Sequence, residues 1–211
     1  PSSRNDSAMR VAVYAARMEG LCTAGIIDHD SISGAEEFIR AGEICSLPVT
    51  IGIEARVSLK DTPIADKRTN NPDQAGISYM VLHGVPHRSI PMVREYFVPI
   101  REHRNQRNRE MLRRINREAG LDLDFDRDVL PLSQYHDGGG VTERHLMQAV
   151  ARALKPGQGL LEEFDLIGEL KKDFIPKVYV DATLECPPFA EYVDFCKRTG
   201  GILAYPYLGD V

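Results

Sequence analysis

Gly25-Ile26-Ile27-Asp28-His29-Asp30-Ser31-Ile32-Ser33-Gly34 is the stretch that decides the fold. An apolar run stops at Asp-His-Asp, then turns through Ser and Gly towards a helix. A buried parallel strand delivers polar side chains to the mouth of an α/β barrel in this way. Val49-Thr50-Ile51-Gly52-Ile53-Glu54 repeats the pattern and ends in a carboxylate. Oxygen and imidazole donors at the ends of successive strands suit Mn²⁺, Fe²⁺, Zn²⁺ or Mg²⁺. The alternative is that Asp28 and Asp30 cap the next helix and His29 is a structural hydrogen-bonder.

Working outward, a helix to about Met18 is expected, capped by Asp6 or Ser7, with Met9, Val13, Ala16 and Met18 as its buried stripe. Cys22 to Ile27 is a strand, Ala35 to Ile44 a helix and Val49 to Val57 a strand. Short connections of this kind predict a parallel sheet. Residues 59–75 are polar and contain Asp-Thr-Pro and Asn-Asn-Pro-Asp, the texture of a mobile surface loop. Ile77 to His83 is again a strand. From 92 to 175 the texture is helical, with helices over 92–120, 142–154 and 160–172 and a hinge at Gly138-Gly139-Gly140. This block reads as an inserted cap, dividing the chain into 1–91 with 176–211 and 92–175. Lys177 to Val180 is expected to be extended, Pro187-Pro188 opens a helix to Arg198, and Ile202-Leu203-Ala204 is a strand. That last strand has no covering helix, which points to an incomplete barrel with an open edge.

Composition narrows the function. The 211 residues carry a net charge of −5 and 43% hydrophobic side chains, and the pI is near 5.7. Nothing global draws such a chain to duplex nucleic acid or a membrane surface. No apolar run approaches the ~20 residues that span a bilayer, and no secretory leader is evident. The four cysteines lack C-x-x-C spacing. Cys22, Cys45 and Cys196 have apolar neighbours and read as reduced core residues of a cytoplasmic protein.

The residues resemble the PHP (polymerase and histidinol phosphatase) domain family. Its T-D-H-D-x-x-x-G motif matches Ile27-Asp28-His29-Asp30-Ser31-Ile32-Ser33-Gly34, with Ile for Thr, and its G-I-E matches Gly52-Ile53-Glu54. Gly140-Val141-Thr142-Glu143-Arg144-His145-Leu146 is similar to the G-R-P-H-I-A segment of the nucleotide-phosphatase branch. Gly200-Gly201-Ile202-Leu203-Ala204-Tyr205-Pro206 is similar to its G-G-x-x-x-A-H-P strand.

The resemblance implies a distorted (β/α)7 TIM-like barrel with a helical cap. It also implies a phosphoesterase with up to three divalent ions in the complete family site, acting on a phosphorylated small molecule or nucleotide through a metal-activated water. His29 and Glu54 become metal ligands, and Asp28 a ligand or the base orienting the water. The family's opening H-x-H and closing D-x-H strands have no counterpart. Tyr79 and Tyr205 stand where the family has His, and a neutral phenol, with its pKa near 10, is a poor ligand for a hard ion. His83 could replace Tyr79 as a ligand by a register shift, but residues four apart on a strand lie ~13 Å from each other. It is otherwise an ordinary strand-end histidine. These departures support a second reading, a catalytically impaired ligand-binding or regulatory module.

Arg101, Arg104, Arg107, Arg109, Arg113, Arg114 and Arg117 crowd one helix. Such a run is usually a solvated face, tied by pairs such as Glu110 with Arg114. The family cap offers Arg104 and Arg107 as phosphate ligands, for which a guanidinium fork is suited. Arg144 and His145, near a helix N-terminus, could also meet an anion, or His145 could pack inside the protein. His87, His103 and His136 are expected at the surface.

Overall fold

The computed structural model describes residues 3–71 and 74–208. Contacts divide the chain into two compact units, 1–98 with 186–211, and 99–185.

The first unit holds a four-stranded open sheet in the order β1-β2-β3-β4. The strands are β1 (Ala24–His29), β2 (Val49–Ser58), β3 (Ile77–His83) and β4 (Ile202–Ala204). β1 and β2 are joined through helix α2 (Ala35–Cys45) and pair in parallel, as a crossover connection requires. β3 departs from the expected parallel sheet. It pairs antiparallel with both β2 and β4. Among the described residues no helix lies between β2 and β3, and β3 pairs antiparallel with the strand the chain has just left. The sheet is therefore mixed and not closed.

The segment between β2 and β3 is not the loose loop its composition suggests. The Leu59 amide donates to the Gly76 carbonyl at 2.8 Å and the Gly76 amide to the Lys67 carbonyl at 3.0 Å. Asn70 and Asn71 are buried.

Alternation along the strands creates two faces. Ile51, Ile53, Ala55 and Val57 of β2 are all buried. They meet α2 and helix α6 (Phe189–Thr199), the two helices in contact with this strand. Phe38 and Ala41 from α2, and Tyr192, Phe195 and Cys196 from α6, join that core. The Tyr96 ring stacks on Phe195 at 3.8 Å between centroids, and Phe97 meets Tyr192 edge-on at 6.5 Å. Gly52 lets β2 and β3 approach closely. A Cβ there would stand 2.9 Å from the Leu82 carbonyl oxygen and 3.0 Å from Ile27.

Helix α1 (Ser3–Met18) starts before the expected Asp6 or Ser7 cap, and those two side chains lie outside the described residues. Only Val13 of its expected stripe is fully buried, and Met18 is 66% exposed. Cys22 is exposed and Cys45 partly so, while Cys186 and Cys196 are buried; all four are free thiols. The exposure of Cys22 corrects its expected core position.

The second unit is helical. It contains the C-terminal part of α3 (Ile90–Ala119), then α4 (Glu143–Leu154) and α5 (Leu160–Val178). A π-helical turn over Phe125–Val129 and 3-10 turns follow α3. The expected extended segment at Lys177 is instead the last turn of α5. Met111, Leu112, Ile115, Leu146, Met147 and Val150 centre its core. Arg101, Arg104 and Arg107 are buried rather than solvated, because α3 turns one face inward, where Glu185 meets Arg104 and Glu143 meets Arg107. Among the described residues no helix is long and apolar enough to cross a membrane.

Truncating Phe195 to Ala removes the ring that stacks on Tyr96 beneath the sheet. A loss of ~3–5 kcal/mol is expected, read as a lower urea midpoint.

Candidate functional site

The pairing of β1 with β2 sets the site. His29 is the Cα partner of Glu54. Directly paired residues on neighbouring strands point to the same face. The His29 Nε2 lies 2.8 Å from Glu54 Oε2, with the two side chains 49% and 22% exposed. A polar pair this accessible contributes little stability, ~0–1 kcal/mol even when charged, so stability does not explain its placement.

Val81, Tyr79 and His83 of β3 and Arg56 of β2 share this face by alternation. Val81 pairs with Glu54, and Tyr79 and Arg56 pair with each other two residues further on. The Tyr79 ring stands edge-on to the His29 ring, with centroids 5.4 Å apart. Arg56 brings a half-buried guanidinium to the same face. Sequence inspection passed over Arg56, although its signal was present: it stands two residues after Glu54 on one strand.

Other expected site residues are placed elsewhere. Asp28 alternates to the opposite face of β1 from His29. Its carboxyl is held above the ordinary carboxylate range, chiefly by burial and partly offset by His29. The cap of α2 is Gly34 and no side chain caps it, so helix capping does not account for Asp28 or Asp30. Asp30 itself takes a left-handed backbone, φ 52°. Its amide donates to the Glu54 carbonyl at 2.9 Å, which carries the β1–β2 pairing into the turn. His83 pairs with Ile202, the first residue of β4. His83 and Tyr79 flank Val81, two residues to either side of the level of Glu54, and Tyr79 is the one whose ring meets His29. Tyr205 follows β4 directly and is 47% exposed.

The second unit holds the remaining candidates. The Arg104 Nε donates to Glu185 Oε2 at 3.3 Å. Arg107 donates through Nε to the Val180 carbonyl at 2.7 Å and through Nη2 to Glu143 Oε1 at 2.8 Å, with Nη1 3.7 Å from Glu185 Oε1. Both guanidiniums are thus tied to carboxylates inside the unit. Glu110 pairs with Arg114 at 3.1 Å as expected. Arg144 is exposed and stands over the Phe164 ring at 5.4 Å. His145 Nδ1 accepts from the Thr142 amide at 2.9 Å and so closes the N-terminus of α4. Burial, helped by the Arg144 cation, holds its pKa below the ordinary imidazole range. His87, His103 and His136 are exposed.

Among the described residues no group of three His, Cys, Asp or Glu side chains is arranged to hold a metal ion. His29 and Glu54 are donors of a kind that Mn²⁺, Fe²⁺ and Zn²⁺ accept. They fit one ion in chemistry and approach, as a partial ligand set.

No protein-family model and no curated protein matches the chain. Similar solved structures include two at 20% and 18% identity. One is a protein named "putative metal-dependent phosphoesterase" from Bifidobacterium adolescentis. It has a TM-score of 0.66 at 20% identity, over 96% of this chain and 65% of that one. The other is an amidohydrolase from Chromobacterium violaceum, determined with bound sulfate and no metal. It has a TM-score of 0.67 at 18% identity, over 94% of this chain and 61% of that one. The chain therefore spans less than two thirds of the length of either protein. At these identities the likeness shows a shared fold.

The cap at His145 generates a pH prediction. With the folded pKa below the unfolded value, the unfolded chain takes the proton first. The stability supplied by the neutral imidazole is complete above about pH 6.5 and declines as the pH falls below it. His145→Ala should cost ~1 kcal/mol at pH 7.5. It should also flatten the decline in stability measured by urea titration below about pH 6.5.

Proposed function

We propose that the chain is the greater part of a PHP-type metal-dependent phosphoesterase that hydrolyses a phosphomonoester or small nucleotide in the cytoplasm. Its open sheet is a portion of a distorted (β/α)7 barrel, and residues 92–175 are the inserted cap. The observation that carries this reading is the His29–Glu54 pair on one face of two parallel strands. The likeness of fold to a protein named as a metal-dependent phosphoesterase supports it.

His29, through an imidazole nitrogen, and Glu54, through its carboxylate, would hold a divalent ion. When bound, such an ion lowers the pKa of a coordinated water and polarises a phosphoryl oxygen. The chain's own residues do the rest. Tyr79 limits rotation of the His29 ring by standing against it. Asp28, its basicity raised by burial, is proposed as the base, which requires it to act past the strand end, since its side chain alternates to the other face of β1 from His29. Arg144 is the exposed guanidinium proposed to meet a phosphate, with His145 beside it. Arg104 and Arg107 are proposed as further substrate contacts, and a phosphate there would compete with Glu185 and Glu143.

One observation favours a second reading. Tyr79 at the side of His29 supplies a phenol where a hard ion needs an anionic or imidazole donor. A PHP-like module that binds its ligand without hydrolysing it would follow.

The test is phosphatase turnover of p-nitrophenyl phosphate with and without Mn²⁺. His29→Ala and Glu54→Ala should each lower kcat/KM by roughly 100-fold or more, and a chelator should abolish turnover until Mn²⁺ is restored. Turnover undiminished in either variant contradicts the assignment. Ligand binding with no turnover at any metal concentration supports the second reading.

A further inference from the structure

The β2–β3 connection contains a residue whose whole hydrogen-bonding capacity is spent at the site. Asn70 is 1% exposed. Its Nδ2 donates to the Tyr79 carbonyl at 2.9 Å and to the Pro206 carbonyl at 2.8 Å. Its Oδ1 accepts from the Tyr79 amide at 2.8 Å and from the Ser78 hydroxyl at 2.9 Å. An asparagine amide has two donor hydrogens and two acceptor lone pairs, and all four are used.

The partners explain why a side chain is needed there. β4 ends at Ala204, opposite Val81. Beyond it comes Pro206, which has no N–H to give to β3. At Tyr79 the place of a strand is taken by the Asn70 side chain, and the Tyr79 carbonyl also accepts from the Ser78 hydroxyl at 3.4 Å. Asn70 supplies one bond to the Tyr79 amide and one to its carbonyl, as one residue of a neighbouring strand does. The same amide ties down the segment between Tyr205 and Tyr207 through the Pro206 carbonyl.

We infer that Asn70 is a positioning residue of the site: by bonding both backbone groups of Tyr79, and Pro206, it holds the Tyr79 ring against His29 and fixes the Tyr205 segment beside it. The inference rests on reading the His29 corner as the site, and it deepens that reading by adding a residue that acts through Tyr79. A replacement at position 70 removes both Asn70 bonds to the Tyr79 backbone, and the ring shifts from His29. Loop and strand stay connected through the Leu59–Gly76 and Thr69–Ile77 bonds.

The experiment uses chelator-treated protein, so that it reads position 70 and not metal loading. Two quantities are measured by NMR in wild type, Asn70→Ala, Asn70→Asp and Tyr79→Ala. They are the ring-proton shifts of His29, which the adjacent Tyr79 ring displaces, and the exchange rate of the Tyr79 amide. Asn70→Ala should move the His29 shifts to the Tyr79→Ala values and speed Tyr79 exchange by about tenfold or more. Asn70→Asp keeps both acceptors but loses both donors, and should move the His29 shifts part of the way. If Asn70→Ala does not fold, Asn70→Asp carries the test. His29 shifts unchanged from wild type in a folded position-70 variant would overturn the inference. Failure of the wild type to bind Mn²⁺ would count against the phosphoesterase reading and leave these shifts as they are.

Discussion

The parallel pairing of β1 on β2 is the constraint on which the rest depends. With Ala24 opposite Val49, the two strands run level until His29 meets Glu54. A slip of one residue would turn His29 to the face that packs on α2 and α6, and would bring Asp28 out. The register is held from the other side. Ile51, Ile53, Ala55 and Val57 must all face the helices, and burying those side chains outweighs anything the half-exposed ion pair contributes. The apolar face thus places the polar one. The site pair is carried by the sheet and does little to stabilise it.

The antiparallel course of β3 completes the arrangement. It brings the Tyr79 ring to His29. Tyr79 lies where β4 has run out, so its backbone is satisfied by the side chain of Asn70 in the preceding connection. Asn70 of the polar connection thus belongs to the sheet. In the second unit the same demand for satisfied polar groups is met by charge. Glu185, 2% exposed, receives Arg104 and lies near Arg107, and removal of a buried partner of this kind is costly.

The strands and most helices were legible in the sequence because their apolar periods are clean. β3 and β4 fall where the pattern places them, and α4 runs from its Thr142 cap to Leu154 as the spacing predicts. His29 and Glu54 were legible as strand-end donors, and their juxtaposition follows from short parallel connections. The direction of β3 was not legible, since an apolar run reads the same whichever way the strand points. The roles of Arg104 and Asn70 were hidden for another reason. Their partners lie 81 and 136 residues away at the farthest, and a local pattern of charge or polarity carries no sign of a distant carboxylate or carbonyl. Asp28 stood beside His29 in the motif, and the alternation of a strand, applied strictly, puts neighbours on opposite faces.

The most direct measurement is the metal content of protein stripped with chelator, reloaded with Mn²⁺ and desalted, for wild type, His29→Ala and Glu54→Ala. The account predicts that wild type retains bound ion and that each substitution releases it. Wild type that retains none, or variants that retain as much as wild type, would contradict a metal centre built on the His29–Glu54 pair.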